Sequence, residues 1–397
     1  MRSSATTANN AVNLSVSTTA VLTRNVVSGA DTVDTLNGTT GADELFAYGQ
    51  ADLVNAGDGA DTLWGGWGND TLVGGAGDDL IVGEGGDDSL NGGLGSDTYR
   101  VTGNTAVGFH GYDIYADSGT TGTDKIEAVG TGDVDIGFKG NFGPASGIES
   151  IVTTGATGTV RLLGDSNAQT LDLRGVTITG TNVLIDAGNG NDTVYGSAGN
   201  DTLLTSQGDD TLDGAGGSDT YRVTGNIATG FQGYDAYADT GTAGTDKLVA
   251  LGTGDVDIGL KGNFGPASGI EAIDATGATG TVRLLGDGST QLLDFRGVTL
   301  TGSNLQIDAG NGNDTVYGSA GNDTLLSGYG DDLVDGAGGS DVYRVSGNTS
   351  AVFHGYDTYK DSGTTGTDKI EAVGTGAVDI GIKGWSATGI EAIDVTG

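Results

Sequence analysis

Apolar residues recur every nine positions through the first quarter of the chain, and each is followed within a few residues by glycine. The recurring positions are Leu45, Val54, Leu63, Leu72, Ile81, Leu90 and Tyr99. Apolar and polar residues alternate around each of them, which is typical of half-buried strands, and the glycines mark tight turns. No segment carries a helical stripe with caps. The pattern predicts an all-β protein built from many short strands.

Aspartate keeps the same nine-residue register, two positions before each apolar residue. The aspartates of this register are Asp43, Asp52, Asp61, Asp70, Asp79, Asp88 and Asp97, then Asp192, Asp201, Asp210 and Asp219, and finally Asp314, Asp323, Asp332 and Asp341. The most regular copies read GGWGNDTLV (65–73) and GGAGDDLIV (74–82). Their glycine-rich halves must turn sharply, which needs positive φ angles that glycine takes without strain.

A longer repeat of 122 residues contains the short one. SDTYRV at 96–101 returns at 218–223, and it returns as SDVYRV at 340–345. We therefore expect three copies in series, the last of them truncated at the chain end. The expected parts are an N-terminal segment (1–33), nonapeptide blocks (34–104, 183–226 and 305–348) and strand-rich spacers (105–182, 227–304 and the truncated 349–397). Together they predict one continuous parallel solenoid.

The charge balance excludes several classes of partner. The chain has 53 acidic and 16 basic residues and a formal net charge of −37, which repels nucleic acids and anionic lipids. Cysteine is absent, so no disulfide framework is possible. The N-terminus lacks the apolar run of a secretory signal, and no stretch is long and apolar enough to span a membrane. If the protein leaves the cell, we expect a route without a cleaved leader.

The pattern GGxGxDxUx resembles the calcium-binding nonapeptide of the RTX (repeats-in-toxin) family, over residues 38–100, 187–222 and 309–344. The resemblance implies a parallel β-roll in which each calcium ion lies between consecutive turns, held by aspartates and backbone carbonyls. It also implies an extracellular protein that leaves the cell unfolded by type I secretion. The secretion signal of the family is C-terminal, whereas this chain ends in a truncated repeat.

Simple electrostatics supports calcium independently. Two nonapeptides make one coil of eighteen residues, so aspartates eighteen residues apart stack at about 4.8 Å. Such carboxylates repel by about 3.5 kcal/mol per pair at an effective dielectric of about 20, and a hard divalent cation between them reverses the sign. Counting these pairs gives about nine sites. Magnesium fits less well because it demands octahedral geometry, and zinc prefers nitrogen and sulfur ligands.

Other recurring residues favour ordinary roles. Tyr99, Tyr221 and Tyr343 end each block, and we expect them to plug the junction with the wider spacer. His110 and His354 occupy equivalent places, but the middle copy has Gln232 there, which argues against imidazole chemistry. The recurring lysines are expected to be solvated or paired with acids. Trp64 and Trp67 in so thin a roll are expected to be exposed and suggest contact with a sugar or a partner.

No nucleophile–base pair, catalytic metal set or cofactor loop emerges, so no enzymatic activity is expected. The sequence favours an extracellular structural or adhesive protein that folds on calcium and forms homo-oligomers as a surface layer or filament. A second hypothesis is a secretion or polysaccharide-binding module of a larger secreted RTX enzyme.

A third hypothesis is ice adhesion. Thr62, Thr71 and Thr98 follow the aspartates and are expected to face outward. The same columns are interrupted by Glu44, Leu53, Leu80 and Ser89, which leaves no flat threonine lattice.

Overall fold

Strands of three to seven residues alternate with turns throughout the described part of the chain. The computed structural model describes residues 25–103, 109–225, 231–241, 243–346, 354–374 and 378–395, without the side chains of 384–387. Its helical content within these residues is limited to two short 3-10 turns, Pro144–Ser146 and Pro266–Ser268. The chain divides into two compact units, residues 1–186 and 187–397. The predicted all-β class is confirmed.

The first unit is built from parallel strands that alternate between two sheets. Its strands are β1 (Asn25–Ser28), β2 (Thr35–Asn37), β3 (Asp43–Gly49), β4 (Leu53–Asp58), β5 (Thr62–Trp67), β6 (Thr71–Ala76), β7 (Leu80–Gly85), β8 (Ser89–Leu94), β9 (Thr98–Thr102), β10 (Tyr112–Ala116), β11 (Lys125–Gly130), β12 (Val134–Phe138), β13 (Ser150–Ala156), β14 (Val160–Gly164), β15 (Thr170–Asp172), β16 (Thr177–Thr179) and β17 (Val183–Asp186). One sheet has the order β1-β3-β5-β7-β9-β11-β13-β16, and the other runs β2-β4-β6-β8-β10-β12-β14-β17.

The second unit repeats this parallel architecture. Its strands are β18 (Thr193–Tyr195), β19 (Thr202–Leu204), β20 (Thr211–Asp213), β21 (Thr220–Thr224), β22 (Tyr234–Ala238), β23 (Lys247–Gly252), β24 (Val256–Leu260), β25 (Ala272–Ala278), β26 (Val282–Gly286), β27 (Leu292–Asp294), β28 (Thr299–Thr301), β29 (Leu305–Asp308), β30 (Thr315–Tyr317), β31 (Thr324–Leu326), β32 (Leu333–Asp335), β33 (Val342–Ser346), β34 (Asp357–Lys360), β35 (Lys369–Val373), β36 (Ile382–Thr388) and β37 (Ala392–Asp394). The strand orders are β19-β21-β23-β25-β28, β18-β20-β22-β24-β26-β29-β31-β33-β35-β37 and β27-β30-β32-β34-β36.

The strand register follows the predicted eighteen-residue coil. Leu45 pairs with Leu63 and Leu63 with Ile81, while Val54 pairs with Leu72 in the opposite sheet. Each of these side chains is fully buried between the sheets. The inward stripe of apolar residues therefore builds a thin core whose layers are added one coil at a time.

The spacers keep the same inward stripe although their coils are longer. Ile126 pairs with Tyr99, 27 residues earlier, and Ile151 pairs with Ile126 after 25 residues. The additional residues lie in the loops between strands, so the ladder of paired strands continues from the nonapeptide coils into the spacer.

The three recurring tyrosines are fully buried at these junctions, as predicted. The Tyr99 ring meets Tyr115 edge-on at 5.9 Å, and the same geometry recurs for Tyr221 with Tyr237 and Tyr343 with Tyr359. Their polar contacts are equally regular. For example, Tyr99 Oη accepts the Gly92 N–H at 2.6 Å and donates to the Ala116 carbonyl at 2.7 Å. The aromatic plug is therefore buried without an unsatisfied hydroxyl.

One position in the turn of each coil shows why glycine is frequent in this chain. Gly66 has φ 102°, and its register partners Tyr48 and Glu84 also take positive φ, at 77° and 66°. A Cβ on Gly66 would collide with the Tyr48 carbonyl of the preceding coil. Glycine is favoured there by both the left-handed conformation and the close approach of the neighbouring backbone.

Candidate calcium-binding turns

The aspartates of the nonapeptide register stack in columns, as their spacing predicts. In the first block, the backbone N–H of each of the first five aspartates donates to Oδ1 of the aspartate eighteen residues later. The N···O distances are 2.7 Å for Asp43–Asp61, 2.7 Å for Asp61–Asp79 and 2.8 Å for Asp79–Asp97 in one column, and 2.8 Å for both Asp52–Asp70 and Asp70–Asp88 in the other. Each carboxylate is thus oriented by the neighbouring coil.

The second and third blocks form the same ladder. Its N···O distances are 2.8 Å for Asp192–Asp210, 2.7 Å for Asp201–Asp219, 2.7 Å for Asp314–Asp332 and 2.8 Å for Asp323–Asp341. All of the predicted aspartates are buried, with at most 8% of each residue exposed. Their side chains therefore lie inside the turns, away from the solvated surface.

The carboxylate ladder extends beyond the nonapeptides, which the sequence analysis missed. Asp97 N–H donates to Asp124 Oδ1 at 2.7 Å, and Asp124 N–H donates to Glu149 Oε2 at 2.7 Å. Asp88 N–H similarly reaches Asp113 Oδ1 at 3.0 Å. The signal was present in the sequence, because an acid stands two residues before the inward apolar residue in the spacers too, as Asp124 does before Ile126. The change from an 18-residue to a 25–27-residue coil obscured it.

The second oxygen of most carboxylates in the ladder is left without a hydrogen bond. Within the described residues, a buried Oδ2 lacks a partner at Asp52, Asp70, Asp79, Asp88, Asp97, Asp219, Asp314, Asp332 and Asp341. Leaving one buried charged acceptor unsatisfied costs more than about 1–3 kcal/mol, and here the same atom is unsatisfied in successive coils. The repetition indicates that these oxygens bind something other than the protein itself.

A carbonyl oxygen lies beside these carboxylate oxygens. The position that a Cβ of Gly65 would occupy is 2.6 Å from Asp70 Oδ2 and 2.7 Å from the Gly83 carbonyl oxygen, which belongs to the next coil. Gly74 has the same surroundings, whereas near Gly38, Gly196 and Gly318 the equivalent Oδ2 accepts the N–H of the following residue, Thr39, Ser197 or Ser319. Because the glycine has no side chain, a carboxylate and a carbonyl from adjacent coils can approach each other beside its Cα.

These donors fit calcium. The ion takes six to eight hard oxygen ligands at about 2.3–2.6 Å, and aspartate and backbone carbonyl oxygens are both suitable. The buried Oδ2 atoms together with the carbonyls of the following coil would hold it, and the ion would supply the positive charge that the buried carboxylates lack. Ligation by each individual aspartate stays a prediction.

The electrostatics of the metal-free turns is unfavourable for ionised carboxylates. Burial, reinforced by the charge of Asp113, raises the pKa of Asp88 to about 8. Burial likewise raises the pKa of Asp79 to about 7, with Asp97 and Asp61 adding repulsion. Without a cation, these groups hold protons near neutral pH, and ionising them requires a compensating positive charge.

Comparison with protein families identifies the repeats. The model of the RTX calcium-binding nonapeptide repeat matches four segments, residues 28–63, 64–99, 186–221 and 308–343. The chain carries RTX repeats. RTX repeats bind calcium, form β-rolls and are typical of secreted proteins, which agrees with the parallel coils and with the carboxylate ladder. No curated protein matches this chain.

Features outside the RTX turns agree only partly with the sequence analysis. Trp67 is exposed as predicted (62%), whereas Trp64 is half-buried. The prediction that Thr62 faces outward was wrong: it is only 8% exposed and lies in register between the longer residues Glu44 and Leu80. His110 is half-buried.

The recurring lysines contact acids or carbonyls where the structure gives their partners. Lys139 pairs with Asp87 at 3.2 Å, and Lys383 pairs with Asp331 at 3.3 Å. None of the helices formed by the described residues has the length and apolar character needed to cross a bilayer.

Proposed function

We propose that this protein is a non-catalytic extracellular structural or adhesive protein that folds on calcium and assembles with copies of itself into a surface layer or filament. The observation that carries the proposal is the repeated buried Oδ2 atom without a protein partner, found for example at Asp79, Asp219 and Asp341. A fold with this feature in every block depends on bound cations for its stability.

Calcium dependence makes folding sensitive to location. The free energy of metal binding becomes free energy of folding when the unfolded chain has no formed site. Extracellular calcium modules have dissociation constants of about 10⁻⁴–10⁻³ M. The low calcium concentration of the cytosol would leave such sites empty. We expect the chain to stay unfolded in a calcium-poor compartment and to fold where calcium is millimolar.

Self-assembly is supported by the way the coils stack. Each coil exchanges backbone hydrogen bonds in both directions with the next one, as Gly68 N–H donates to the Gly85 carbonyl and Leu80 N–H donates to the Asp61 carbonyl, and all of the pairings are parallel. A contact between copies that reuses this head-to-tail pattern is heterologous and grows into a filament unless it closes into a ring. The repetition of the same unit at 122-residue intervals also suits a periodic assembly.

The test combines circular dichroism with electron microscopy on the same sample. Calcium added at millimolar concentration to the chelated full-length protein should produce β-sheet signal, and magnesium at the same concentration should produce little. Negative-stain images of the calcium-loaded sample should show filaments or sheets. A β-sheet signal that is indifferent to chelator would refute calcium-dependent folding, and dispersed monomers at all protein concentrations would refute self-assembly.

A second candidate function, polysaccharide binding, is favoured by an aromatic surface on the first unit. Tyr48 is 49% exposed and its ring lies 6.2 Å from that of Phe46, which lies parallel within 7° to the ring of Trp64 at 6.3 Å. Exposed aromatic faces suit stacking on sugar rings. Calcium-loaded protein should be retained on an insoluble neutral polysaccharide, and Tyr48→Ala should abolish the retention.

The matched control for this candidate is Leu94→Ala, since Leu94 is also an exposed apolar residue (49%) but belongs to the other sheet. Equal retention of both variants and the unaltered protein would rule out the aromatic surface as a sugar-binding face.

A further inference from the structure

Clusters of three carboxylates lie where the first two nonapeptide blocks meet the spacers that follow them. They consist of Asp97, Asp117 and Asp124 in the first copy and of Asp219, Asp239 and Asp246 in the second. In each cluster, one carboxylate oxygen from every residue lies within 4.8 Å of the other two. Only the first residue of each trio belongs to the nonapeptide register. The other two come from the spacer.

The backbone holds the first cluster in place. Asp97 N–H donates to Asp124 Oδ1 at 2.7 Å. Asp117, the residue directly after β10, accepts the Gly93 N–H through Oδ1 at 2.8 Å and the Gly119 N–H through Oδ2 at 3.0 Å. The three acids are therefore fixed close together by hydrogen bonds from several loops, and they cannot relieve their repulsion by simple rotation into solvent.

An unsatisfied buried oxygen in each cluster points to a ligand. Asp97 and Asp219 are both 0% exposed, and their Oδ1 atoms accept the N–H groups of Asp79 and Asp201 at 2.8 and 2.7 Å. Their Oδ2 atoms have no hydrogen-bond partner among the described residues, and neither does Oδ1 of Asp239. Each cluster therefore contains buried carboxylate oxygens with free lone pairs.

We propose that each cluster is a calcium site that closes the nonapeptide block, with Asp117 and Asp239 as ligands supplied from outside the repeat register. Three hard anionic oxygen donors around one point suit a divalent cation that prefers carboxylates. The site differs from the sites in the turns because it ties the loop after β10, or after β22 in the second copy, to the last aspartate of the block. It rests on the proposed calcium dependence of the fold and extends it to the spacers.

The third copy keeps the same acids at the same 122-residue interval. They are Asp341, Asp361 and Asp368, of which Asp341 is 0% exposed and has a buried Oδ2 without a partner among the described residues. Among the described residues, these three acids do not come within 4.8 Å of one another as the first two clusters do, so the proposal covers the first two copies.

The experiment counts calcium ions on the full-length protein by native mass spectrometry. The double variant Asp117→Asn with Asp239→Asn keeps one acceptor oxygen in each side chain and removes the charges, and we expect it to bind two fewer ions, one for each altered cluster. The control is Asp133→Asn with Asp255→Asn, which alters exposed acids of the same two spacers, and it should keep the full number. An unchanged ion count in the first variant, or an equal loss in both, overturns the proposal.

A second measurement does not depend on the folding of any variant. Crystals of the unaltered protein grown with terbium in place of calcium should show anomalous density between Asp97, Asp117 and Asp124. Terbium confined to the nonapeptide turns would overturn the proposal for the clusters and leave the calcium-dependent fold intact. Failure of the whole protein to bind terbium or calcium would instead refute the proposed function.

Discussion

At the scale of single residues, neighbouring aspartates have opposite environments. Asp79 is 2% exposed, and its Oδ2 has no partner among the described residues, whereas Asp78 is exposed and accepts the Ser96 N–H at 2.8 Å. The difference follows from strand alternation, which places adjacent side chains on opposite sides of the turn. Two chemically identical residues therefore serve as test and control.

Asp79→Asn should weaken calcium-dependent folding, and Asp78→Asn should not. The asparagine keeps an oxygen to accept the Asp61 N–H, and it replaces the charged second oxygen by an amide NH2 group that cannot bind a cation. Losing one ion of about 10⁻⁴–10⁻³ M affinity should lower the free energy of unfolding by about 1–3 kcal/mol at 10 mM calcium. Chemical denaturation at fixed calcium measures this loss.

The same substitution should have the opposite effect in chelator at pH 8, because burial raises the pKa of Asp79 only to about 7 and its carboxylate is then an ionised buried group that no cation compensates. Residual structure of the metal-free protein should therefore increase in Asp79→Asn. A variant that is destabilised equally with and without calcium would contradict metal ligation at this position.

The metal-free protein should become less stable as the pH rises. Burial is the largest cause of the raised pKa values, which are about 8 for Asp88 and about 7 for Asp113 and Asp235, against an ordinary value of 3.8. The folded state therefore binds more protons than the unfolded state between about pH 4 and 8, and its stability falls across that window. Circular dichroism in chelator should show more β-structure at pH 5 than at pH 8.

Calcium should reverse this trend, because the carboxylates must lose their protons to bind the ion. Titrations at pH 5 and pH 8 should show tighter calcium binding at the higher pH. Greater stability of the chelated protein at pH 8 than at pH 5 would show that these carboxyl groups are ionised in the metal-free fold.

At the scale of single elements, the space beside Gly65 in β5 is the feature to test. Gly65→Ala should block the site between Asp70 and the Gly83 carbonyl, because the added Cβ would lie 2.6 Å from Asp70 Oδ2 and 2.7 Å from that carbonyl oxygen. We expect the midpoint of the calcium titration to rise several-fold while all carboxylates remain. Gly41→Ala is the control, since its Cβ would meet no atom within 4 Å. Identical midpoints for the two variants would argue against an ion in this space.

Much of the architecture could be predicted from the sequence because the repeat fixes it. The Asp-x-Leu spacing fixed which residues stack, and the structure confirms the pairing of Leu45 with Leu63 and of Asp43 with Asp61. The extension of the ladder to Asp124 could not be obtained from a nine-residue period, because that coil has 27 residues.

The environment of Asp117 was also beyond the sequence analysis. Its approach to Asp97 depends on the path of the loop between β10 and β11, and no repeat within that loop encodes it. Thr62 was misjudged for a related reason, because its burial depends on the size of its neighbours in the adjacent coils rather than on its place in the period.

At the scale of the whole molecule, the net charge of −37 raises the question of whether calcium merely screens repulsion. Salt at about 0.1 M already screens exposed charges beyond about 10 Å, but it does not supply ligands to buried oxygens. In chelator, added sodium chloride should therefore contract the chain without restoring β-structure. Millimolar calcium should do both.

Small-angle X-ray scattering and circular dichroism on the same samples separate these effects. Recovery of the full β-sheet signal with sodium chloride alone would show that screening is sufficient, and the coordination of calcium in the turns would then be unnecessary for folding.

Because successive strands alternate between two sheets, the number of residues inserted or deleted decides whether the later strands stay in their own sheets. Removing residues 62–79 takes out β5 and β6 and brings β7 directly after β4, so every later strand keeps its own sheet and partner type. Removing only 71–79 would bring β7 against β4 and β8 against β5, so the two sheets would exchange roles across the cut, while Tyr99 would keep its place above Ile81. Insertions and deletions in this block should therefore be tolerated better in whole coils than in halves, a parity rule that a family of shortened and lengthened variants would reveal directly.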